Sequence, residues 1–217
     1  MSDTVRFGGV HLTKAPNRGS KVGTAVLVVL FGGGGLGGAW FWSDEAAQVE
    51  HLSKRGALAL PAAYVLTWKG ASEKAEEPLR DALEHGDPRL RAQSAKALAT
   101  LRRRENVAFL GDSAVNDPEE SVRLAAVVAL GQNGETNAQP FLQQALEDSS
   151  IPVQSAACRA AGKLRLTALI PHLIERLKHH DGDLLRAARE GLEEFTPEGI
   201  SFEFDPGRWQ KWYEEGR

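Results

Sequence analysis

The sequence predicts an all-α fold: a short right-handed solenoid of about four helical hairpins with capping helices at both ends, preceded by one transmembrane helix. Three observations carry this. Of 217 residues, 30 are Ala and 26 are Leu, whereas aromatic residues make up only 7%; strands favour β-branched and aromatic side chains, so the bias is toward helices. A block of apolar and small residues recurs every 31 or 32 positions after residue 73. Finally, residues 22–42 contain no charge.

Composition bounds the function classes. With 42% apolar and 25% charged residues the chain is globular and neither disordered nor collagenous. The single cysteine, Cys158, can close no internal disulfide and supplies no multi-cysteine zinc site. A net charge of −3 argues against nucleic acid as a partner, because phosphate neutralisation needs an excess of Lys and Arg.

Residues 1–21 mix glycine, proline and scattered charge, and are expected to be a flexible cytoplasmic tail. The following stretch, VGTAVLVVLFGGGGLGGAWFW over 22–42, is long enough as a helix to cross a hydrocarbon core of about 30 Å, and Trp40, Phe41 and Trp42 suit an interface. Its glycines Gly33/Gly37 and Gly34/Gly38 lie four apart and would let a neighbouring helix approach closely. Arg6, Lys14, Arg18 and Lys21 precede the span; Asp44, Glu45 and Glu50 follow it. That order predicts a single-pass protein of a bacterial inner membrane with its C-terminal domain in the periplasm.

Residues 43–72 are expected to link and cap, with a helix continuing from the membrane and another from Pro61 to Lys69, where Leu58, Leu60, Val65 and Trp68 could cover the first hairpin. Repeats are expected over 73–195. The blocks starting at Leu90, Val122, Val153 and Leu184 carry small residues four and seven positions on, which share one helix face. Ahead of each stands Asp87-Pro88, Asp117-Pro118, Asp148 with Ser149 and Ser150, or Asp181-Gly182-Asp183, the chemistry of a helix N-cap. Pro78, Phe109, Pro140 and Pro171 repeat at 31 residues and mark the preceding helix of each hairpin. Residues 196–217 are expected to cap the far end through Trp209, Trp212 and Tyr213, which fall on one side of a helix begun by Asp205-Pro206.

Residues 117–131, DPEESVRLAAVVALG, resemble the short bacterial HEAT-like repeat first noted in phycobilisome lyases, D-P-x-x-x-V-R-x-x-A-x-x-A-L-G, with Arg123 at the Arg position and Gly131 closing the helix. Arg91 keeps that Arg in the preceding repeat; Gln154 and Leu185 replace it in the following ones. The resemblance implies stacked hairpins that serve as binding scaffolds, with second helices lining the concave side. On that basis Arg91, Gln93, Arg123, Gln154, Arg159 and Arg186 are the candidate partner-binding residues. No catalytic, cofactor-binding or metal-ligating set stands out. His179, His180, Asp181 and Asp183 read as a solvated helix end, Cys158 as a small core residue, and Arg102–Arg104 as a solvated turn. The expected role is a non-enzymatic scaffold or accessory subunit in a membrane complex, needing neither cofactor nor small-molecule substrate. The alternatives are a lyase or chaperone handling a bound cofactor, by family analogy, and a small structural subunit of a larger membrane complex.

Overall fold

The computed structural model describes residues 4–7, 10–13, 26–30, 38–41, 45–54, 56–197 and 200–215. The first four segments are the strands β1 (Thr4–Phe7), β2 (Val10–Thr13), β3 (Val26–Leu30) and β4 (Gly38–Phe41). They pair antiparallel in chain order, with Val5 opposite Leu12, Leu12 opposite Val28 and Val28 opposite Ala39.

This arrangement replaces two expectations. Part of the tail expected over 1–21 is paired strand, and the membrane helix expected over 22–42 is not formed by the described residues in that range. Among the described residues no helix is long and apolar enough to cross a membrane. The physical reason is local: Val26, Val28 and Val29 are β-branched and favour extended backbone, and the glycines that follow weaken a helix. Gly38 opens β4, while Gly33, Gly34 and Gly37, the other members of the proposed packing pairs, lie outside the described residues. The anchor, and the location argued from it, have no support in the described elements.

The rest is helical. Helices α1 (Glu45–Ser53) and α2 (Ala59–Lys69) are followed by α3 (Glu76–His85), α4 (Pro88–Thr100), α5 (Asn106–Asn116) and α6 (Glu120–Asn133). Next come α7 (Gln139–Leu146), α8 (Ile151–Lys163), α9 (Ile170–Arg176), α10 (Gly182–Glu193) and α11 (Pro206–Glu214). Short 3-10 turns lead into α3, α7 and α9. Second helices pack on one another in the order α2, α4, α6, α8, α10, and first helices α1, α3, α5 and α7 form the other layer. Among the described residues five hairpins stack where four with capping helices were expected, because α1 and α2, expected as caps, pack on α3 and α4 as the later pairs do. That first hairpin has no Asp in its turn, so its membership does not show in the repeat pattern.

Alanine and glycine set the spacing. Ala126, Ala129, Ala157, Ala161, Ala187 and Ala188 are fully buried along the second-helix layer. A Cβ on Gly162 would lie 2.5 Å from the carbonyl oxygen of Gly191, so α8 and α10 touch backbone to backbone. Leucines at the end of three of the four blocks, Leu98, Leu130 and Leu192, are fully buried, and Ala161 takes that place in the block from Val153.

Both ends differ from the interior. At the C-terminal end Asp205 caps α11, which packs on α9; Trp209 is fully buried, donates its indole N–H to the Glu203 carbonyl at 3.0 Å, and meets Phe202 and Trp212 edge to face. At the other end Val65 is buried, but Trp68 is half exposed and Leu58 is exposed, so they do not seal the first hairpin. Trp68 falls opposite Ala59, Ala62 and Leu66 at helical spacing, and those three take the buried side.

Candidate protein-docking groove

The Asp residues ahead of the second helices do more than cap. Asp87 and Asp181 cap α4 and α10 directly, each accepting two backbone N–H bonds. Asp117 and Asp148 accept from the N–H two residues on, of Glu119 and Ser150, and turn their carboxylates toward the preceding repeat. Arg91 grips Asp117 through Nε and Nη2, both at 2.8 Å, and its Nη1 donates to the Gly86 carbonyl. Arg123 repeats the arrangement one hairpin later, with 2.7 and 3.1 Å to Asp148 and a bond to the Asp117 carbonyl. These forks are largely shielded from water, at 15% and 7% side-chain exposure for the first pair and 14% and 9% for the second. The hydrogen bonds to Asp117 and Asp148 push both guanidinium pKa values further up. Burial pushes the Asp148 carboxyl up, but the bonds from Arg123 and Ser150 and the Arg123 charge outweigh it and hold it below its usual value.

The expected binding residues therefore separate into two groups. Arg91 and Arg123 join repeats and are not free for a partner. Gln93 is buried and donates to the Thr67 hydroxyl at 2.7 Å, between α2 and α4. Gln154 stands where the arginine would be; its amide reaches the Asp148 carbonyl at 2.6 Å, copying the arginine's bond to the turn but not its bond to the next carboxylate. Arg159 and Arg186 are exposed, paired with Glu190 and Asp183 at 2.8 Å.

Arg159 belongs to the groove that the structure builds. On the outer side of the second-helix layer α6, α8 and the start of α10 enclose an open cavity of about 760 Å³. Its floor is apolar: Leu124 and Val128 from α6, Ile151, Pro152, Ala156 and Ala160 from α8. Gln132, Arg159, Lys163, Asp181 and Asp183 supply its polar boundary, and Ser155 sits within it. Sequence reasoning for polar residues missed this floor. The available signal is that LAAVVAL in α6 is apolar on more than the buried stripe of Val122, Ala126, Ala129 and Leu130.

Reactive groups are placed for structure. Cys158 is buried, and burial pushes its thiol up to about 12, so no thiolate forms near neutral pH. His179 accepts the Asp181 N–H through Nδ1, Asp181 caps α10 and Asp183 pairs with Arg186. Among the described residues no group of three or more His, Cys, Asp or Glu side chains could hold a metal ion. Of the basic turn, Arg103 pairs with Glu73 and Glu76.

Comparison with known proteins agrees with this architecture. Residues 107–193 match a family model described as HEAT repeats. No curated protein matches the chain. Among solved structures the chain is similar to the complex of CpcE and CpcF of phycocyanin lyase from Nostoc sp. PCC7120, with a TM-score of 0.60 and 23% identity over 70% of this chain. The match spans 65% of the length of that chain. The helical part of this protein is therefore an α-solenoid of stacked hairpins, similar over residues 107–193 to HEAT repeats.

Proposed function

We propose that the solenoid is a protein-binding module whose docking surface is the groove over α6, α8 and α10. The observation that carries this reading is the apolar floor left open across α6, α8 and the start of α10. An apolar strip with charges at its margins is the anatomy of a protein interface, where a central apolar patch supplies affinity and the rim supplies specificity. Of the polar groups near it, Asp181 caps α10 and Arg159 and Asp183 are in ion pairs. The similar solved structure is itself a complex of two proteins, which supports a protein partner.

The test is Val128→Glu. Val128 is only partly buried, so the carboxylate reaches water without disturbing the core, yet it puts a charge on the floor. The variant is expected to keep its melting temperature and lose the protein that co-elutes with the wild-type chain after mild purification. Unchanged co-elution contradicts this surface.

A second reading is favoured by the lyase named in that structural likeness: the groove would help to handle a bound cofactor on a partner protein. Under it the purified complex carries a visible or near-ultraviolet chromophore band that Val128→Glu removes. A colourless complex of full stoichiometry supports the scaffold reading instead.

A further inference from the structure

At two junctions between hairpins an arginine of one second helix grips the Asp ahead of the next: Arg91 with Asp117 and Arg123 with Asp148. Of the other two junctions, α2 with α4 has Asp87 as a plain cap, and α8 with α10 has the acid without the base although its second helix keeps a polar residue at the arginine position. Asp181 accepts the same N–H two residues on as Asp117 and Asp148 do, but Gln154 replaces the arginine and bonds back to its own turn. Among the described residues no cation pairs with Asp181, and its carboxylate lines the docking groove. Ser155 lines the same groove, is 4% exposed, and has an Oγ without a hydrogen-bond partner. An acid lacking its base and a buried hydroxyl lacking its bond thus line one groove.

We infer that the partner supplies the missing base: an amphipathic helix of another protein lies in the groove with an Arg or Lys of its last turn on Asp181. The inference rests on the docking reading above. Direction follows from charge. Asp181 and Asp183 stand beside the start of α8, because α8 and α10 run parallel with Gly162 against Gly191, while Lys163 ends α8 at the other end of the groove. Arg159 between them is already paired with Glu190. A helix ordinarily carries acidic residues in its first turn and basic ones in its last. Laid antiparallel to α8, such a helix puts its carboxylates on Lys163 and its cation on Asp181, roughly 17 Å apart at 1.5 Å per residue. Guanidinium is the better ligand, since its planar fork can meet a carboxylate through two donors.

The experiment pans the full chain against a phage-displayed library of 14-residue amphipathic helices, with Val128→Glu, Asp181→Asn and Gln154→Arg chains in parallel. Asparagine keeps the α10 cap and removes the charge; Gln154→Arg leaves Asp181 in place and offers it an internal arginine as competitor. Helices retained by the wild-type chain are expected to carry Arg or Lys in the last turn, to bind Asp181→Asn and Gln154→Arg about tenfold more weakly, and to be lost on Val128→Glu. Retained helices with no basic preference, or with equal affinity for the Asp181→Asn and Gln154→Arg chains, overturn the inference and leave the groove standing. If the wild-type chain retains no more than Val128→Glu does, the groove itself falls and the inference with it.

Discussion

Arg123 belongs to two repeats at once, through the Asp148 fork ahead and the Asp117 carbonyl behind. Arg123→Ala leaves a shielded carboxylate with only a backbone donor, and is expected to cost about 1–2 kcal/mol, allowing for the water that still reaches the pair. Thermal unfolding at pH 7 measures it. The pH dependence carries a sign. Asp148 is held below its ordinary pKa in the folded chain, so the unfolded chain binds the proton more readily. The pair's contribution is complete well above the ordinary carboxylate value of about 3.9 and is lost as pH falls through the lower folded value. Arg123→Ala is expected to flatten this part of the curve; an unchanged acid limb between about pH 5 and 3 contradicts the assignment. Cys158 gives a complementary result: with its thiol pushed up to about 12, the folded chain is expected to resist Ellman's reagent at pH 8 and to react at one equivalent when unfolded. Rapid reaction of the folded chain contradicts its burial. In the sequence, the Arg of the repeat motif was visible but its role was not, because spacing shows that Arg123 recurs without showing which carboxylate comes to meet it.

The elements were legible where small residues repeat and illegible where they do not. The alanine and glycine ladder located α4, α6, α8 and α10, because those positions must be small for second helices to pack closely. Gly162→Ala tests that ladder: its Cβ would meet Gly191 backbone at 2.5 and 2.6 Å, which cannot yield as a side chain can. A loss of about 1–3 kcal/mol is expected, against no loss for Gly182→Ala, where nothing lies within 4 Å. Equal stability of the two variants contradicts close packing of α8 and α10. The hairpin of α1 and α2 joins the stack by packing alone, without the aspartate-led turn that punctuates the others, so the turn pattern shows four hairpins. At the N-terminal end the apolar residues of β3 and β4 satisfied a membrane pattern by composition, although their valines also suit a strand, and hydropathy alone does not distinguish the two.

For the whole molecule, stacked hairpins provide a surface no single hairpin has. The groove needs Leu124 and Val128 from one repeat, Ile151 and Ala156 from the next, and Asp181 from a third. That is why reading each repeat separately found charged candidates and missed the apolar floor: its residues become neighbours only through stacking. Arg159 alone of the expected binding residues lines the groove. Hydrogen–deuterium exchange of the full chain, alone and with its co-purified partner, tests the central claim most directly. Bound protein is expected to slow exchange in residues 124–132, 151–163 and 181–184 together, leaving α5 and α7 unchanged. Protection confined to the first-helix layer, with those three segments exchanging as in the free chain, would contradict the groove as the docking surface.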